Sequence, residues 1–101
     1  MFLISYDIEN DYLRTKLAKL LIRFGLQRVQ YSVFMGVVAN EAMKRLHKAL
    51  ARLCKEAHWQ EAEDSIMILP LHQYSRKHVN FLGKKTSHWE EISGKMHTLV
   101  L

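Results

Sequence analysis

A single cysteine, Cys54, rules out an internal disulfide in this chain of 101 residues, and its absence suits a reducing, cytoplasmic compartment. A single proline, in a composition that is 49% hydrophobic, excludes a Pro-rich or disordered chain and argues for a globular one. No uncharged apolar run comes near the roughly 18–20 residues that cross a bilayer. No basic segment precedes an apolar run at the start, so neither a membrane span nor a signal peptide is expected. There is no Gly-rich phosphate loop, no Ser-His-Asp signature and no CxxC pair. Acids are also in short supply: 10 Asp and Glu stand against 15 Lys and Arg, a net charge of +5. That excess favours an anionic partner, nucleic acid first among them.

The length fits one domain, small enough to bury only a modest share of its surface, so a second copy would help it. Phe2 to Ile8 reads as a strand. The polar "ENDY" follows, where Asn10 or Asp11 suits a helix cap. Leu13, Leu17, Leu20, Leu21 and Phe24 recur at helical spacing, predicting a helix over 11–24 closed by Gly25 in a left-handed cap. "LQRVQYSVFMGVV" holds the strand formers Val29, Tyr31, Val33 and Phe34 and has room for two short strands. Gly36 within it signals a bulge or a close backbone approach. A second helix follows, with Asn40 as its cap and Met43, Leu46, Leu50, Leu53 and Ala57 as its buried stripe. "DSIMILPL" closes the core as a last strand. The order β-α-β-β-α-β predicts an α+β, ferredoxin-like fold: a four-stranded antiparallel sheet with both helices on one face. The other face has no cover within residues 1–71, which calls for a homodimer. Residues 72–101 form a polar, basic extension ending in "TLVL", a run suited to joining a sheet edge, in its own chain or in a neighbour's.

Asp7 is the leading chemical candidate because it sits where the first strand emerges, with Glu9 and Asp11 close behind. Two readings stand open. Asp7 bonds to backbone N–H groups at a strand end, or it binds a hard divalent cation, Mg²⁺ or Mn²⁺, which often takes only one or two carboxylates. Two copies across a dimer axis would improve such a site. Lys16, Lys19 and Arg23 on the first helix, and Arg45, Lys48, Arg52 and Lys55 on the second, follow helical spacing. They form either an ordinary solvated face or a track for a phosphate backbone. Arg14 and Arg28, near the two ends of the first helix, suit a phosphate or an acidic neighbour. The six histidines, His72 and His78 among them, make no metal pattern and read as surface residues. Cys54 reads as a small core residue rather than a nucleophile.

"YDI", "LRTKLAKLLIRFGLQRVQYSVFMG" and "DSIMILPL", in this order and at this length, resemble the CRISPR-associated protein 2 family over residues 1 to about 71. The carriers are Tyr6-Asp7, Arg14, Gly25, the block Arg28-Val29-Gln30 to Ser32-Val33-Phe34, Gly36 and Asp64-Ser65. The resemblance implies a ferredoxin-like homodimer, with the C-terminal strand added to the partner's sheet, that bridges CRISPR integrase dimers and holds duplex prespacer DNA during spacer acquisition. It also implies, for many members, a metal-dependent endonuclease acting on single-stranded RNA or duplex DNA. By match, Asp7 is the metal-ligand position, and Tyr6, Arg14, Lys16, Arg28, Ser32 and Phe34 fall on positions tied to nuclease activity or its support. Three functions follow as expectations: a basic adaptor within the integration complex, a Mg²⁺- or Mn²⁺-dependent phosphodiesterase, and a stand-alone toxin-like endoribonuclease of similar fold.

Overall fold

The computed structural model describes residues 1–72 together with His78, Asn80, Leu82 and Gly83. Its elements run β1 (Phe2–Asp7), α1 (Asp11–Arg23), β2 (Gln27–Gln30), β3 (Val33–Gly36), α2 (Asn40–Leu53) and β4 (Ser65–Pro70). The four strands make one antiparallel sheet in the order β2-β3-β1-β4, with β1 flanked by β3 and β4. This is the ferredoxin-like α+β arrangement expected from the element order. The "TLVL" run and most of the extension lie outside the described residues.

The start of α1 is fixed by Asn10, whose Oδ1 accepts from the Leu13 N–H at 2.9 Å, while Asp11 in the first turn suits the positive end of the helix. Its end is a Schellman motif. Leu26 N–H reaches back to the Leu21 carbonyl at 3.1 Å, and Gly25 N–H to that of Ile22 at 3.0 Å. Gly25 supplies the positive φ, +92°, that this closure needs. Leu21 and Leu26, both buried, belong to the same apolar core.

Gly36 marks a close approach rather than a bulge. A Cβ there would lie 3.0 Å from both the Gly25 carbonyl oxygen and the Leu26 Cα. The irregularity in pairing falls instead between Arg28 and Gln30.

Three local expectations are corrected. Tyr31 is not in a strand: with Ser32 it forms the bend between β2 and β3, and its side chain is exposed. Asn40 is not a cap: the chain enters α2 through Ala39, which makes no side-chain cap bond. Ala57 lies beyond the end of α2 and is exposed. α2 packs through Leu46, Leu50 and Leu53, with Met43 partly buried, and Trp59 from the following turn packs against the same core.

Strand alternation divides the sheet into two faces. Ile4, Tyr6, Ile8 and Phe34 face α1 and α2 and join Leu13, Leu17, Leu21, Leu46, Leu50 and Leu53 in the main core. On the reverse, Val29 and Met35 are buried among Met1, Leu3, Val33, Val37 and Leu71. In β4, Met67 pairs with Ser5 and Leu69 with Leu3, and both side chains are exposed, 55% and 44%. Among the described residues no element lies over this apolar face.

Candidate functional site

The end of β1 organises the site, because consecutive residues there leave on opposite faces. Tyr6 points into the helix layer and is buried. Asp7 points to the open face, opposite Ser65 of β4, and is exposed. The Asp7 carboxylate makes no hydrogen bond or ion pair with another described residue. The backbone just beyond it is held firmly. Arg14 turns back from α1 and donates through Nη1 to the carbonyls of Ile8 (2.8 Å) and Glu9 (2.6 Å), and its other Nη pairs with the Asp11 carboxylate. From the far side Asp64, a buried acid, accepts from the backbone N–H of Glu9 (3.1 Å) and of Gln60 (2.8 Å). Arg14 and Asp64 thus brace the same turn, one by donating and one by accepting.

On the helix side, the Tyr6 ring stacks with Phe34 at 6.2 Å between centroids and 27° between planes. The Arg28 guanidinium lies 5.1 Å from the Phe34 centroid and 5.9 Å from that of Tyr31. A cavity of about 260 Å³ opens beside these groups, lined by Tyr6, Asp11, Arg14, Thr15, Arg28 and Tyr31. The structure therefore brings Tyr6, Arg14, Arg28 and Phe34 together and leaves Asp7 on the other side of the sheet. Ser32 contributes its backbone: its carbonyl accepts from Tyr6 N–H at 3.1 Å, tying the β2–β3 bend to β1.

The basic residues divide as well. Lys16, Lys19 and Arg23 from α1 and Arg52 from α2 line a groove of about 280 Å³ between the helices, floored by Leu20, Ala49 and Leu53. Glu56 sits in it and accepts from Lys16 Nζ at 2.8 Å. That hydrogen bond raises the lysine's pKa against a smaller opposing effect of desolvation. Arg45, Lys48 and Lys55 are exposed and lie outside this lining. Cys54, half-buried at the C-terminal cap of α2, has its thiol pKa raised, by burial first and by the charge of Glu61 second. A raised pKa suits a packing residue better than a nucleophile.

No group of three or more His, Cys, Asp or Glu capable of holding a metal exists among the described residues. Asp7 has chemistry suited to Mg²⁺ or Mn²⁺, an exposed hard oxygen donor without a partner among the described residues, and such ions complete their shells with water and phosphate. Sequence reasoning missed Tyr31, Thr15 and Asp11 as cavity residues and Asp64 as a brace. Tyr31 left one trace: an aromatic in a two-residue bend between strands, where turn formers are the usual occupants.

These features define a small α+β protein of ferredoxin-like fold with a basic inter-helix groove, an arginine–tyrosine cavity and a strand-end aspartate that has no partner among the described residues. The family model described as CRISPR associated protein Cas2 matches residues 1–79, and the chain belongs to that family. It is 36% identical over 84 residues to the CRISPR-associated endoribonuclease Cas2 3 of Synechocystis sp., covering 83% of this chain and 85% of the relative. It is 40% identical over 73 residues to CRISPR-associated endoribonuclease Cas2 1 of Archaeoglobus fulgidus, 72% of each chain. The crystal structure of Streptococcus pyogenes Cas2 superposes with a TM-score of 0.66 at 28% identity, covering 81% of this chain and 98% of that one.

Proposed function

We propose that the chain is an endoribonuclease of the CRISPR system that acts as a homodimer, docked through the open sheet face, with Asp7 as its metal ligand. The observation that carries the reading is Asp7 itself, an exposed carboxylate without a partner among the described residues, on the same face as the exposed side chains of Met67 and Leu69. Two sheets docked on that face bring two such strand ends into one interface. Mg²⁺ or Mn²⁺ held there supplies an acidified water and charge to offset that of the scissile phosphate. The protein's own share is positioning. Arg14 and Asp64 fix the backbone after Asp7. The names of the relatives support the ribonuclease assignment.

The test is cleavage of single-stranded RNA and of duplex DNA by the full chain, with and without divalent metal, beside Asp7→Ala and Asp7→Asn. Loss of metal-dependent cleavage in both variants is expected, and cleavage unchanged in Asp7→Ala overturns the assignment. Sedimentation of Met67→Glu/Leu69→Glu tests the interface: a monomer is expected, and an intact dimer refutes the docking face.

A second reading is favoured by the groove of Lys16, Lys19, Arg23 and Arg52. In it the dimer bridges two integrase dimers and holds duplex DNA during spacer acquisition. Integration that survives Asp7→Asn but fails when Lys19 and Arg23, or Arg45 and Lys48, are reversed in charge supports it. Integration indifferent to those reversals refutes it.

A further inference from the structure

The cavity on the helix side opens across the sheet from Asp7, and its walls are unlike those of the basic groove. Four planar groups succeed one another beside it: Tyr6, Phe34, the Arg28 guanidinium and Tyr31. The inner end is fixed, since Phe34 is fully buried and Tyr6 nearly so. The outer end is in water, with Tyr31 72% exposed. Pairing of Arg28 with Phe34 and of Gln30 with Val33 sets the position of the bend that carries it. The exposed ring thus sits on a rigid hairpin rather than on a loose loop, at the mouth of a hollow of about 260 Å³.

The lining is chemically mixed. It offers two phenol rings, two guanidinium groups, the Thr15 hydroxyl and the Asp11 carboxylate. Arg14 is committed to the turn carbonyls and to Asp11, so it offers mainly charge. A simple anion would use only the cations. A nucleotide uses the whole set: a π-face for stacking, a phosphate for the guanidinium, and polar base edges for the hydroxyl and carboxylate. Only an unpaired base has a face to give, because in a duplex both faces are covered by neighbours.

We propose that this cavity receives one unpaired nucleotide of a single-stranded nucleic acid, its base stacked on Tyr31 and its phosphate against Arg28. The proposal rests on the nucleic-acid reading above and deepens it by adding a subsite separate from both Asp7 and the inter-helix groove. Tyr31 serves as a stacking platform that extends the existing column by one ring, and it selects single strands over duplexes.

The experiment measures binding of the full chain, in EDTA so that nothing is cut, to a fluorescein-labelled oligouridylate, to its oligothymidylate counterpart and to a DNA duplex of equal length. Tyr31→Ala and Tyr31→Phe are compared with the parent chain. Loss of a base-stacking ring weakens single-strand binding about 5- to 150-fold, so Tyr31→Ala should lose on that order for both single strands and nothing for the duplex. Tyr31→Phe, which keeps the ring, should bind like the parent. An unchanged single-strand affinity in Tyr31→Ala overturns the proposal, and so does an equal loss on single strand and duplex. As a measurement that needs no variant, irradiation of a complex with 5-iodouridine RNA should cross-link Tyr31, and cross-links confined to residues outside the cavity count against it. A parent chain that binds none of the three probes refutes the nucleic-acid reading itself, whereas strong binding without Tyr31 dependence refutes the subsite alone.

Discussion

Removing the Asp64 carboxylate tests the brace behind Asp7. In Asp64→Ala two backbone donors, Glu9 N–H at 3.1 Å and Gln60 N–H at 2.8 Å, lose their acceptor at once. A hydrogen bond to a charged group contributes about 1.5–3 kcal/mol. Both bonds are only partly buried and the Glu9 bond is long, so water recovers a portion and the lower end applies, giving about 3 kcal/mol in all. Domains of this size are stable by about 5–15 kcal/mol, so the loss is a large fraction. At about 4–8 °C for each kcal/mol, the melting midpoint falls by about 12–24 °C. Urea unfolding at one fixed protein concentration measures the free energy, the concentration being held so that self-association does not shift the midpoint. Asp64→Asn, which keeps one carbonyl acceptor, should fall between the two. Hydrogen exchange adds a local readout, with protection lost at the Glu9 and Gln60 amides before the rest of the sheet. A loss below about 0.5 kcal/mol, the range of an ordinary surface substitution, would refute the argument that this acid secures the turn.

Gly36→Ala should destabilise by about 1–3 kcal/mol, the usual cost of overpacking, because the new Cβ meets the Gly25 carbonyl and Leu26 Cα at 3.0 Å and both are backbone; the check is thermal unfolding. The folded-state pKa of Lys16 is raised by Glu56. The stabilisation this raised pKa brings is therefore fully present below the unfolded value of 10.5 and lost only as pH climbs through the higher folded one. Glu56→Gln should accordingly show a stability difference from the parent that is flat from neutral pH up to that window and disappears above it, and that shrinks in high salt. The Cys54 thiol, pushed up by burial and by Glu61, should react with iodoacetamide at pH 8 more slowly than a free cysteine, and Glu61→Gln should speed it; the check is the alkylation rate by mass spectrometry.

The element order was legible because periodicity and caps agree locally. The leucine spacing of α1, Asn10 before it and Gly25 after it all act within a few residues, and the structure places them as expected. α2 was legible in its middle and not at its ends. Its stripe of Leu46, Leu50 and Leu53 follows the helical period, whereas Asn40 lies inside the first turn and Ala57 beyond the last, since where a helix stops depends on what the chain packs against next. Tyr31 was misplaced for a related reason: strand propensity describes a ring on a pleated, half-buried surface, and the β2–β3 pairing puts this one in the bend.

By itself, the sequence determined the fold class, the two helix faces and the aspartate at the end of β1, because each rests on a period or a neighbour only a few residues away. Only the tertiary structure decided which side of the sheet each candidate occupies. Tyr6 and Asp7 are adjacent in the chain and are parted by the pleat. Arg14, Arg28 and Tyr31 are separated in sequence and meet around one cavity. Asp64 reaches Glu9 across 55 residues. Such meetings depend on strand register and helix packing, which no local pattern encodes.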